Sequence, residues 1–246
     1  MIITPICTRR LMPPRDHLFD ALRPALSHVS EKSIFVVSSK AVSIGEGRCI
    51  PKTSVSDLSS LVKQEADWFL PLSQTPHRTI PLTVVRHAFI GKSGIDESNG
   101  NGYLILLPKD PTQSARMIRS WIQREYHVSD VGVIIADSYS MMLRRGASVI
   151  SIGTAGFAPL IDYRKTPDLF GRPFVSEVEN IADKLAAAGG AVMGEGALSA
   201  PVVCISDLPE RISFSESEEG LVHLLSFSED RFSAILKQPW EQGGKK

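Results

Sequence analysis

The stretch VGVIIADS, Val131–Ser138, decides how this chain is read. From Val131 to Ala136 no polar side chain interrupts the run, which is the pattern of a strand covered on both faces rather than of one alternating between core and water. Asp137 and Ser138 follow at once. A carboxylate at the C-terminal end of a buried strand borders the ligand crevice of an α/β sheet. Asp with a hydroxyl is also a pair that holds Mg²⁺ in nucleotide enzymes. The same two residues read equally as a strand followed by an Asp-Ser helix cap.

Outward from that strand, short β-branched runs predict further strands at Ser33–Val37, Leu82–Val85, Tyr103–Leu107, Val149–Ile152 and Pro201–Ile205. Apolar residues at helical spacing predict helices over Asp16–Leu26, Asp57–Phe69 and Thr112–Tyr126. Ser176–Ala188 is a fourth helix, opened by Ser176 and Glu179 at capping-box spacing. Two more are expected over Glu218–Leu225 and Glu229–Leu236. Adjacent strands among scattered helices imply an α+β fold with mixed or antiparallel sheets rather than a regular βαβ array. No repeat or low-complexity linker divides the chain. Residues 1–246 therefore read as a single unit, which could be built as two intertwined subdomains. The three prolines of Pro71–Pro81 mark a flexible segment, and residues 239–246 read as a disordered tail.

Charge is balanced, with 27 Lys and Arg against 27 Asp and Glu in 246 residues. No global basic field exists to recruit nucleic acid or an anionic membrane. No apolar run reaches membrane-spanning length, and MIITPICTRR lacks the layout of a signal peptide. A cytoplasmic protein is expected. Cys7, Cys49 and Cys204 form no C-x-x-C pair and are expected as buried or half-buried free thiols. The histidines do not cluster at metal-ligand spacing, and there is no G-x-S-x-G or Walker A motif.

Four other segments carry chemistry. SGIDESNGNG (Ser93–Gly102) places Asp96 in a glycine-rich turn that suits a hard cation, with Asn99 near enough to bond a nucleotide or a metal-bound water. N-G-N-G is also a strong hairpin-turn signal on its own. LRRGAS (Leu143–Ser148) offers guanidiniums that could clamp an anion, or simply a solvated basic turn. VMGEGA (Val192–Ala197) puts Glu195 after an alanine-rich helix that the pair Gly189-Gly190 would end, and reads equally as a helix cap and linker. In the turn Ser38-Ser39-Lys40, Ser39 and Lys40 could touch phosphate, although a lone lysine is usually solvated. Glu46-Gly47-Arg48 follows without an evident role. Met141 and Met142 read as packing residues.

Taken in order, VVSSKAVSIGEGR (Val36–Arg48), SGIDESN (Ser93–Asn99), LLPKDPTQSARMIR (Leu106–Arg119), IIADSYSMMLRRG (Ile134–Gly146), IGTAGFAPLIDYRKTPDLFGRPF (Ile152–Phe174) and EVENIADKLAAAGGAVMGE (Glu177–Glu195) resemble the coenzyme F-420-0 gamma-glutamyl ligase family. That resemblance implies the family's α+β fold and intertwined homodimer. It implies Mg²⁺ or Mn²⁺ with GTP or ATP as co-substrate, and amide formation between an acceptor carboxylate and L-glutamate through an acyl phosphate. By position it makes Asp96, Asp137, Ser138 and Glu195 metal ligands. It makes Ser39, Lys40, Asn99 and Glu195 nucleotide contacts, and Arg144 the catalytic arginine. Two departures matter. The family's Gly-Arg-Pro-Trp core is Ser140-Met141-Met142-Leu143 here, and Ile44 stands where a nucleotide-contacting lysine is implied. Metal carboxylates kept among rewritten contacts imply nucleotide-driven ligation with the acceptor open: the F-420 precursor, another small carboxylate, a peptide or a protein C-terminus. A non-catalytic nucleotide- or metal-binding regulator is the competing expectation.

Overall fold

A computed structural model describes residues 1–75, 80–215, 223–226, 228–230 and 240–244. In chain order its elements are β1 (Ile2–Ile6), α1 (Leu18–Leu22), β2 (Ser33–Ser38), α2 (Ser39–Glu46), β3 (Cys49–Pro51), α3 (Leu58–Glu65), β4 (Trp68–Leu70), β5 (Leu82–Val85), β6 (Ala88–Gly91), β7 (Tyr103–Ile105), α4 (Pro111–Tyr126), β8 (Val131–Ser140), β9 (Ala147–Ala155), β10 (Leu160–Asp162), β11 (Val178–Asn180), α5 (Ile181–Met193), β12 (Val202–Ser206) and β13 (Glu241–Gln242). The fold is α+β with mixed and antiparallel sheets.

The principal sheet runs β1-β12-β2-β8-β9. Only β2 and β8 are parallel; the other neighbours are antiparallel. Its two faces explain the unbroken apolar run in β8. Phe35, Val37, Val133 and Ile135 pack with Ala115, Ile118 and Ile122 of α4. Ile34, Val36, Ile134 and Ala136 pack on the opposite face with Ile181, Ala182, Leu185 and Ala186 of α5. Each fully buried aliphatic side chain contributes roughly 1.5–3 kcal/mol, so successive residues of β8 all gain by burial. A second layer joins α3 to the sheet β13-β4-β5-β6 through Val62, Ala66, Phe69, Ile95, Leu104 and Leu106.

Several sequence expectations are corrected. Ser38–Lys40 is not a turn: Ser38 caps α2, which follows β2 without a loop. Helix α5 is capped by Asn180, whose side chain accepts from the Asp183 amide, so Ser176 opens nothing. Nor do Gly189 and Gly190 end α5, which continues to Met193. They are where the helix approaches the sheet: a Cβ on Gly190 would lie 2.4 Å from Val149. That contact outweighs the poor helix propensity of glycine. Residues 241–242 pair with Trp68 and Phe69, and the Gly243 amide donates to the Asp67 carbonyl at 2.9 Å. Cys7 is exposed, while Cys49 and Cys204 are half-buried. Residues 76–79 of the proline-rich segment, and most of Glu218–Leu225 and Glu229–Leu236, lie outside the described residues. No described helix is long and apolar enough to cross a membrane.

Candidate active site

The parallel pairing of β2 and β8 builds the site. Ser38 stands opposite Ala136, so the next residues, Ser39 and Asp137, emerge side by side at the C-terminal ends of both strands. There the Ser39 hydroxyl donates to Asp137 Oδ1. A β-bulge at Ile135/Ala136 interrupts the pairing with β9 just before the carboxylate. Bulges of this kind re-aim side chains beside functional sites. Because α2 starts at Ser39, its N-terminal amides and the positive end of its dipole lie at the same edge.

Asp96 arrives from a different layer. It forms an isolated antiparallel bridge with Ile105. Asn99, Asn101 and Gly102 in the intervening turn have φ of 55°, 47° and 87°, which asparagine and glycine adopt readily. The hairpin turn and the carboxylate placement are thus one feature, because the turn presents Asp96 to the crevice. Lys40, one residue into α2, reaches Asp96 Oδ2 at 2.6 Å and donates to the Ser98 carbonyl at 2.8 Å and hydroxyl at 2.9 Å. The Ser98 amide and hydroxyl complete the Asp96 shell at 2.7 and 2.9 Å.

Between these groups lies a cavity of about 600 Å³, lined among others by Ser39, Lys40, Asp96, Asn99, Asp137, Ser138 and Glu195. Glu195 follows Gly194, the C-cap of α5, so the close approach of α5 to the sheet delivers it. Burial pushes the Asp137 carboxyl up to about 6; the Ser39 hydrogen bond opposes this, while Asp96 and Glu195 add repulsion. The residue as a whole is only half-buried because it opens on the cavity. Burial also pushes Asp96 upward. There the Lys40 hydrogen bond and charge, with the Ser98 contacts, outweigh it and hold the carboxyl below the usual range.

The donor set is all oxygen, which suits a hard divalent cation. Among the described residues no group of three His, Cys, Asp or Glu is close enough to hold a metal alone. Mg²⁺ does not require one, since it commonly uses one or two carboxylates, retained waters and substrate phosphates. Burial is the main reason the Asp137 carboxyl is raised, and a cation beside it would relieve the repulsion that Asp96 and Glu195 add. Asp96, Asp137, Ser138 and Glu195 line the cavity with oxygens of the kind such an ion takes.

Arg144 is not brought to the cavity. Strand β8 continues past Asp137 through Tyr139 and Ser140, which carries the connection to β9 outward. Arg144 is exposed there and donates to its neighbour's Leu143 carbonyl. Met141 and Met142 are 41% and 66% exposed, so neither is a core residue. Ile44 is buried but lines the cavity with an apolar surface.

The N-terminal loop Thr8–Pro13 lines the cavity and was only faintly legible in the sequence, as the run Arg9–Asp16. Asp16 organises it, accepting from both terminal nitrogens of Arg9 at 2.6 and 2.8 Å and from the amides of Met12 and His17 at 2.9 and 2.8 Å. The Arg9 hydrogen bond, opposed by burial and joined by the amides, holds its carboxyl far below the usual range. The clustered Arg9-Arg10 before Pro13-Pro14 was the available signal.

The family model described as F420-0:Gamma-glutamyl ligase matches residues 10–207. A coenzyme F420:L-glutamate ligase of Methanococcus maripaludis strain C7 is 33% identical over 194 residues, covering 74% of this chain and 78% of that protein. The protein of the same name from Methanopyrus kandleri is 30% identical over 245 residues, covering 94% and 96%. That of Methanocaldococcus jannaschii is 42% identical over 125 residues, half of each chain.

Proposed function

The chain belongs to the F420-0:gamma-glutamyl ligase family, and from that premise we propose that it is a ligase joining L-glutamate to an acceptor carboxylate in an amide, driven by a nucleoside triphosphate and a divalent cation. The observation that carries this reading is the meeting of Asp96 and Asp137, from separate layers of the fold, on one cavity beside Lys40 and the N-terminus of α2.

In the reaction, an oxygen of the acceptor carboxylate attacks the γ-phosphorus, and the nucleoside diphosphate leaves with the bonding electrons. The glutamate amine then attacks the acyl carbon. Phosphate departs, and the amine loses a proton to give the amide. Asp96, Asp137, Ser138 and Glu195 would hold Mg²⁺ or Mn²⁺, which would supply charge neutralisation for the triphosphate oxygens. Ser39 holds Asp137 Oδ1 and so orients its carboxylate toward the cavity. Lys40, held beside Asp96, provides positive charge for a γ-phosphate, and Asn99 offers an amide at the rim. A 600 Å³ space holds the reactants together and supplies proximity. The acceptor is the F420 precursor or another carboxylate, since Ile44 and Ser140–Leu143 replace contacts that the resemblance implies.

We extend the proposal to a cytoplasmic homodimer. Leu169, Phe170 and Val175 are 99%, 89% and 88% exposed on the arm between β10 and β11, an apolar surface that a second copy would cover.

The test is incubation with isotope-labelled glutamate, GTP or ATP, Mg²⁺ and candidate carboxylates, read by mass spectrometry. A glutamate mass gain coupled to nucleotide hydrolysis supports the ligase. The regulator reading draws on one observation, that Lys40 already neutralises Asp96; nucleotide binding without turnover across the acceptor panel would establish it.

A further inference from the structure

The Glu46-Gly47-Arg48 segment lies outside the cavity, and its contacts give it a task. Glu46 is the last residue of α2, whose first two residues are Ser39 and Lys40. Its carboxylate accepts from the Lys109 amide at 2.9 Å and from the Ser114 hydroxyl of α4 at 2.6 Å. Arg48 donates to the Leu107 carbonyl at 3.1 Å and pairs with Glu65 at 2.5 Å. Arg86 donates through two nitrogens to the Pro108 carbonyl, at 3.0 and 2.8 Å. Three charged side chains thus hold three consecutive backbone residues, 107 to 109, which follow β7 after Leu106. Strand β7 carries Ile105, the bridge partner of Asp96.

These contacts close a ring. It runs from Lys40 along α2 to Glu46, across to Lys109, back along the chain to Ile105, across to Asp96, and through the 2.6 Å ion pair to Lys40. A glutamate at a helix C-terminus opposes the helix dipole, so its local effect on α2 is unfavourable. Its gain is tertiary. We propose that Glu46 is a positioning residue: it fixes α2 against the Asp96 hairpin and so sets Lys40 against Asp96. The proposal rests on the ligase reading of the cavity.

Glu46→Ala and Glu46→Gln test it, alone and in a Lys40→Met background, with kcat, KM for nucleotide, melting temperature and Mn²⁺ affinity in the presence of GTP measured for each. Displaced reacting groups lower the rate more than they weaken binding, so Glu46→Ala is expected to cut kcat by about tenfold or more while KM moves much less. Glu46→Gln keeps one acceptor oxygen and recovers part of the loss; it also decides the matter if the alanine variant does not fold. In the Lys40→Met background, the effect of Glu46→Ala on Mn²⁺ affinity shrinks, because both act through the same ring. A lowered melting temperature with unchanged kcat and KM overturns the proposal, as do fully additive effects with Lys40→Met. If the parent protein ligates no glutamate, the ligase reading fails first, and the Mn²⁺ affinities still report on the ring.

Discussion

Strand β8 passes through two environments within ten residues. Its first half is sealed: Val131, Val133, Ile134 and Ile135 have no exposure, and Asp137 is placed by neighbours on three elements. Its far end is bare, with Leu143 at 92% exposure in the connection to β9, comparable to Leu169 and Phe170 on the β10–β11 arm. Both regions lie in segments that resemble the same family, although Ser140–Leu143 departs from its pattern. The sealed end builds a cavity within one protomer. The bare segments build nothing within it, and they are the surface on which the proposed homodimer rests.

Substitutions at the two regions should therefore fail differently. The largest effect is expected from Asp137→Asn, which removes the carboxylate and should reduce nucleotide-dependent glutamate ligation by more than about 100-fold with the fold intact. Full activity in that variant would erase the distinction between the two ends of β8. Next is Glu65→Ala, which strands Arg48 partly buried without its 2.5 Å partner. Losing one member of a buried pair costs about 3–5 kcal/mol, and denaturant unfolding should register the lower part of that range.

A pH series sharpens the comparison further. The folded value of Asp137, about 6, lies above its ordinary 3.8, so the native state binds the extra proton between those values. Its protonation stabilises the fold fully below pH 3.8, and that contribution is lost as pH rises through about 6. An asparagine at this position carries no such loss. Asp137→Asn should match the parent protein in stability near pH 3.8 and exceed it above pH 6, by roughly 3 kcal/mol at most. An inactive variant that is more stable at neutral pH is the mark of a carboxylate kept for function. The smallest folding effect belongs to Leu169→Asp with Phe170→Asp. Unfolding of the separated protomer should change by under about 0.5 kcal/mol, while light scattering shows the dimer dissociating. A dimer that survives both substitutions would remove the arm from the interface.

Legibility in the sequence followed locality. The two-sided burial of β8 was readable because six residues carry the signal themselves, and Asp96 was readable because Asn99–Gly102 dictates a turn. Helix α2 was not. It begins without a loop after β2, and SKAVSIGE mixes β-branched residues with a glycine, so its helical state is imposed by packing of Ala41, Val42 and Ile44. Gly189-Gly190 gave the wrong helix end because a tertiary approach overrode propensity. The Lys40–Asp96 pair joins residues far apart in sequence, which no local pattern marks. Arg144 matched by motif position, yet the length of β8 decides where it projects.

Mn²⁺ titration followed by electron paramagnetic resonance, with GTP present, tests most directly whether the two aspartates share one cation site. The parent protein should remove free Mn²⁺ signal stoichiometrically, and Asp96→Asn and Asp137→Asn should each weaken that binding by more than about tenfold while remaining folded. Binding of Mn²⁺ with parental affinity in either variant would contradict the shared site.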